Sequence, residues 1–233
     1  MKIPTPINGW RVFLGEVGVI VLGVLLALGA QQIVEDIEMR GEVRRFRDTI
    51  DHEIGLNLFV YEVRTRGSAC NEKRINELFD WLKLDEQVLP KITPNGPVAL
   101  TPYTRAWDTR DADVFAHVPP RARQKYAEFY DELEGNTERT MWELDEWFAL
   151  QRYGLPGPVS LEDRRTIYGH LRKALVLNAV WKGNMAISSK IADDLGVKPV
   201  RPDNIPDLSE LNACSSIFEP QEASAGADGS PRS

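Results

Sequence analysis

The stretch "FLGEVGVIVLGVLLALGAQQ", Phe13 to Gln32, sets one carboxylate, Glu16, at the opening of a run otherwise suited to lipid. An acid in that place can meet a donor on another helix, sit at headgroup level near the positive end of the helix dipole, or carry a proton. Spacing favours the first. Glu16, Ile20, Gly23, Ala27 and Ala30 follow one another at intervals of 4, 3, 4 and 3 residues, so they share one helical stripe. Three of the five are small, and small residues let a second helix come close. Gly15, Gly18 and Gly29 make a second small stripe, so more than one face is open to contact.

The remaining chemistry-bearing residues are few. Cys70 and Cys214 are the two cysteines. In an oxidising compartment they are expected to form a disulfide that ties the carboxyl-terminal segment back to a membrane-proximal helical hairpin. His52, His117 and His170 lack the spacing of a zinc motif. Asp108, Asp111 and Asp113 in "WDTRDADVF" suggest calcium, but the turn glycine and closing glutamate of that loop type are missing, so a solvated helix end is expected. There is no phosphate-binding loop, dinucleotide fingerprint or nucleophile elbow. A non-enzymatic chain without cofactor or metal is the expectation. The formal charge of −7, with no basic block interleaved with aromatics, argues against nucleic acid as a partner.

The elements that must position these residues begin with the anchor. From Val12 the apolar stretch reaches the roughly 20 residues a bilayer core requires. It is read as a transmembrane helix over 12–32. A cleavable signal peptide ending near Ala27-Leu28-Gly29 is the rival, disfavoured because the run is long and continues into a helical pattern. Residues 1–11 are placed in the cytoplasm, residues 33–218 form an extramembrane helical domain, and 219–233 form a disordered tail of small, polar residues. The domain is assigned to the periplasmic side of a bacterial inner membrane, on the usual layout of a short tail before a signal anchor. The count of basic residues does not favour that choice, since Arg40, Arg44, Arg45 and Arg47 outnumber Lys2 and Arg11.

Beyond the membrane the apolar period stays helical. Met39, Val43, Phe46, Ile50, Ile54, Leu58 and Tyr61 predict one helix continuing to about Arg66, bent near Gly55. A second helix is expected around "NEKRINELFDWLKL", and a short one opened by Thr101-Pro102 and running through Trp107. A long helix from Pro119 or Pro120 carries Tyr126, Tyr130, Leu133, Thr137, Thr140, Leu144 and Trp147, a stripe that Phe129, Met141 and Phe148 broaden. Another, capped by Ser160 and Asp163, carries Ile167, Leu171, Ala174, Asn178, Trp181 and Met185 and stops at Gly196. The fold class expected is all-α, an up-and-down bundle on a membrane helix. Its aromatics, Trp107, Tyr126, Phe129, Tyr130, Trp142, Trp147 and Trp181, are expected mostly as core, with a ligand pocket as the lesser reading.

Gly15-Glu16 opening the span, Ala27-Leu28 and Gln31-Gln32 closing it, and the stretch from Ala106 to Leu133 resemble a group of bacterial single-pass membrane proteins without an assigned activity. The resemblance implies an anchor followed by a helical domain, makes Glu16 a regular part of the anchor, and carries over no catalytic residue. The partners expected are the lipid bilayer and a protein, or a second copy, met through the transmembrane helix. A helical sensor or small-ligand module is the alternative.

Overall fold

A computed structural model describes residues 10–84, 95–154, 158–203 and 216–218. The expected tail at 219–233, residues 1–9 and Cys214 lie outside them. Among the described residues the protein is all-α, without a strand. The elements are α1 (Trp10–Arg66), α2 (Ser68–Trp81), α3 (Arg105–Asp108), α4 (Ala112–Ala116), α5 (Pro120–Gln151), a 3₁₀ turn (Arg152–Gly154) and α6 (Leu161–Leu195).

The chain divides into two compact units, residues 1–49 with 110–119, and residues 50–109 with 120–233. In the first, the amino-terminal part of α1 is apolar and long enough to cross a membrane, and none of its most apolar window is buried. Trp10 and Arg11 already belong to the helix. Phe46 meets the edge of Phe115 at 5.8 Å, and Arg110 lies over the Phe115 ring. Asp111 caps α4 by accepting from the Asp113 and Val114 amides, so this acidic stretch is a helix start, as the spacing suggested.

The second unit is a bundle of three columns. Tyr126 donates to Asp51, Tyr130 to Glu53 and Asn136 to Tyr61, so α5 runs in the same direction as this part of α1. Lys125 faces Asp194, and Lys173 faces Glu146, so α6 runs back along α5. The hairpin expected between α1 and α2 is absent. Gly67 keeps right-handed helical angles, its amide bonds to the Val63 carbonyl, and its own carbonyl accepts from Asn71. Helical hydrogen bonding therefore runs across the junction, and α2 continues in the direction of α1. Arg164 on α6 then caps the end of this column, donating to the Leu82 and Leu84 carbonyls left without helical partners.

The core joins Ile75, Leu78 and Trp81 of α2 to Trp147 and Leu150 of α5 and to Ile167, Leu171 and Ala174 of α6, with Ile217 completing it. The Ile217 amide donates to Glu77, which fixes this carboxyl-terminal piece on α2. The expected terminators of α6 are present: Ser160 and Asp163 bond reciprocally, and Gly196 takes the left-handed conformation at φ 79°. The bend expected at Gly55 has another meaning. A Cβ there would lie 2.7 Å from Val200 Cγ2 and 2.8 Å from the Lys198 carbonyl. The glycine is a crossing point, where the segment after α6 lies against α1 and the Val200 amide donates to the Gly55 carbonyl at 2.8 Å.

Candidate functional site

Glu16, Ile20, Gly23, Ala27 and Ala30 all lie on α1 and all are exposed. Ile20 keeps two-thirds of its surface open, and nothing stands within 4 Å of a Cβ built on Gly23. Gly15, Gly18 and Gly29 are equally open. The helix thus presents Glu16, Gly23, Ala27 and Ala30 along one face with no neighbour among the described residues.

Inside the bundle the structure assembles a polar centre that spacing did not reveal. Arg64 of α1 donates to Glu143 of α5 at 2.6 Å, and its guanidinium reaches the Asn178 side-chain oxygen of α6. Asn178 in turn donates to the Ser68 carbonyl, and the guanidinium carbon lies 5.4 Å from the Trp181 ring centre. Arg64 and Glu143 are both buried. Loss of solvent raises the Glu143 carboxyl above the ordinary value of 4.5, and the Arg64 charge offsets only part of that rise. This centre links three helices by charge and hydrogen bonds.

A second cluster holds the segment before α3. Glu53 accepts from the Ala106 and Trp107 amides and from the Tyr130 hydroxyl. Asn57, one turn along, both donates to the Tyr103 carbonyl and accepts from its amide. This corrects the helix expected from Thr101-Pro102: α3 starts at Arg105, because the cap is supplied from α1 by Glu53 instead of by a local threonine. Tyr130 is held well above its usual range, first by burial and then by its bond to the Glu53 carboxylate.

The sequence candidates for metal or acid–base chemistry do not converge. His52 is exposed, His117 Nδ1 faces the Asp113 backbone carbonyl, and His170 pairs with Glu146. No metal-ligand cluster occurs among the described residues. The aromatics divide as well. Tyr126, Phe129 and Trp147 are core, Tyr130 stacks under Trp107 at 4.4 Å, and Trp142 is more than half exposed. Trp181, with Tyr61, lines a cleft of about 230 Å³ bounded by Leu133, Asn136 and Leu144, and Trp107 and Tyr130 line another. Cys70 is buried near the start of α2 and is not a free thiol. Its expected partner, Cys214, is among the residues not described.

Comparison with protein-family models, with curated proteins and with solved structures finds no match.

Glu53, Asn57, Arg64 and Glu143 were the residues that sequence reading missed. A signal exists. Asn57 and Arg64 fall on the stripe of Ile50, Ile54 and Tyr61, and Glu143 falls on that of Asn136 and Trp147. Polar residues on an apolar stripe mark buried contacts, but periodicity does not pair them across helices.

Proposed function

We propose that this chain is a single-pass membrane protein whose α1 meets another transmembrane helix, and that it serves without enzymatic activity as an accessory or scaffold subunit, or as a homo-oligomer. The carrying observation is the exposed Glu16, Gly23, Ala27 and Ala30 face, with open space beside Gly23. In lipid, apolar residues alone give no preference for a partner, whereas close backbone approach and a buried carboxylate do. The resemblance carried by Gly15-Glu16 and Ala27-Leu28 supports the same reading. The chain is placed in a bacterial inner membrane with its bundle on the periplasmic side. A Cys70–Cys214 bridge belongs to that placement. It is supported by the docking of Ile217, three residues beyond Cys214, on Glu77 of α2, two helical turns beyond Cys70.

The test is purification of the tagged native chain and of Glu16→Gln in mild detergent, with mass spectrometry of what accompanies them. A stoichiometric protein, or a second copy, that is lost in Glu16→Gln is the expected result. Both forms emerging alone and alike would overturn the reading.

The cleft beside Tyr61 and Trp181 favours a second reading, a module for a small ligand. Its largely apolar walls suit a compact apolar compound. A ligand there raises the unfolding temperature of the bundle by mass action, so a thermal screen separates the two.

A further inference from the structure

We infer that the outer face of α5 is a docking surface for a basic, apolar-studded segment of a partner protein. Apart from half-buried Glu132, the acids of α5 are sorted by direction. Glu143 points inward to Arg64, Glu128 pairs with Lys125, and Glu146 bonds His170 and Lys173. Asp131, Glu134, Glu138 and Asp145 lie on the remaining face, all exposed. None of the four joins an ion pair among the described residues. At 100° per residue they fall within one narrow stripe.

Three large apolar side chains flank that stripe, Met141 and Phe148 on one side and Trp142 on the other, about 20–40° beyond its edges. Met141, Trp142 and Phe148 are 56%, 55% and 60% exposed. A helix face serving only solvation carries mixed charge and few large apolar groups. This one carries a single sign of charge, with Trp142 between its acids and Phe148 one turn beyond the last of them, and large exposed aromatics are the residues that anchor interfaces. The face extends roughly 26 Å from Asp131 to Phe148, enough for about eight residues of extended chain.

At its amino-terminal end the face deepens into a groove of about 500 Å³. Trp107, stacked on buried Tyr130 with the rings 4° from parallel, lines the groove with Asp108, Glu134 and Glu138. Among the described residues no lysine or arginine lines it. A guanidinium or ammonium entering there meets an aromatic face and several carboxylates at once. The occupant that fits is therefore a polypeptide segment with one cation for the groove, others for Asp131 and Asp145, and apolar side chains for Met141, Trp142 and Phe148. This surface is independent of the membrane stripe, and every variant below leaves α1 unaltered.

The test uses the full chain in nanodiscs of zwitterionic lipid, with empty discs as the blank. The probe is a fluorescent nine-residue peptide alternating Arg with Leu and Phe, read by anisotropy. It is compared with the same peptide carrying Glu for Arg and with one carrying Ser for Leu and Phe. The expected result is saturable binding of the Arg/Leu/Phe peptide above the empty-disc signal, weakened by salt. Each of two variants, Glu134→Gln with Glu138→Gln and Trp142→Ser with Phe148→Ser, weakens it about tenfold or more. All the substituted side chains are exposed, so unchanged melting shows that the fold is kept. Equal binding of the Glu peptide, or no binding beyond empty discs, overturns the inference. So does binding that survives loss of Trp142 and Phe148, because the face is then a solvated acidic stripe and no docking site.

Discussion

Arg64 and Glu143 come from helices that are not neighbours in sequence, yet their charged atoms stand 2.6 Å apart with both side chains buried. A charge left alone at such a site carries most of its desolvation penalty uncompensated. Arg64→Met should therefore cost about 3–5 kcal/mol of bundle stability. Denaturant unfolding followed by tryptophan fluorescence measures it, and a loss below about 1 kcal/mol would show that the pair is not integral to the fold.

The same pair predicts a pH dependence. Burial raises the folded Glu143 carboxyl above 4.5, so the native state holds this proton more tightly than the unfolded chain. The native protein is then favoured at low pH, and the contribution declines as pH rises from about 4.5 through the folded value. Glu143→Gln removes this term. The stability of the native sequence relative to Glu143→Gln should fall on going from pH 4.5 upward. A difference that stays level across that range would contradict the raised carboxyl.

Gly55 permits the crossing of Val200 over α1. In an open helix, alanine would be the better residue by about 1 kcal/mol. Here its methyl meets a side-chain carbon and a backbone carbonyl, both closer than 3 Å. Gly55→Ala should destabilise the bundle by about 1–3 kcal/mol, against the intrinsic preference. Unchanged or higher stability would mean that the crossing segment simply moves away.

Glu53 satisfies two backbone amides and the Tyr130 hydroxyl. Glu53→Ala leaves the buried Tyr130 hydroxyl and two partly buried amides without this acceptor, for an expected loss of about 1–3 kcal/mol. Because the cluster positions Trp107 on Tyr130, the near-ultraviolet circular dichroism should change as well. A stability loss with an unchanged aromatic signal would place the role of Glu53 elsewhere.

The proposed Cys70–Cys214 bridge predicts that Cys70→Ser and reduction of the native chain lower stability equally, by about 2–5 kcal/mol. Reductant should have no further effect on Cys70→Ser. Two thiols that label freely in protein taken from intact cells would remove the bridge and weaken the periplasmic placement.

Local rules recorded in the sequence were enough to find the helices. The apolar period located α1, α5 and α6, and Ser160, Asp163 and Gly196 marked the ends of α6, because caps and amphipathic stripes act over one or two turns. The helix long and apolar enough to cross a membrane is legible for a similar reason: apolar length is additive along one chain segment. The join at Gly67 was not legible. Glycine is compatible with a turn, and only its right-handed conformation and the bonds from Val63 to Asn71 carry α1 into α2. Nor could α3 be placed from Thr101 and Pro102, since its first amides are held by Glu53, about fifty positions earlier. By itself the sequence determined an all-α chain with an apolar leading helix that bears Glu16. The tertiary structure alone decided that Arg64 meets Glu143, that Gly55 carries Val200, and that Glu128, Glu143 and Glu146 of α5 find partners while Asp131, Glu134, Glu138 and Asp145 stay exposed. Those outcomes depend on which helix lies beside which, and a repeat of 3.6 residues records the direction of a side chain without recording the neighbour it will face.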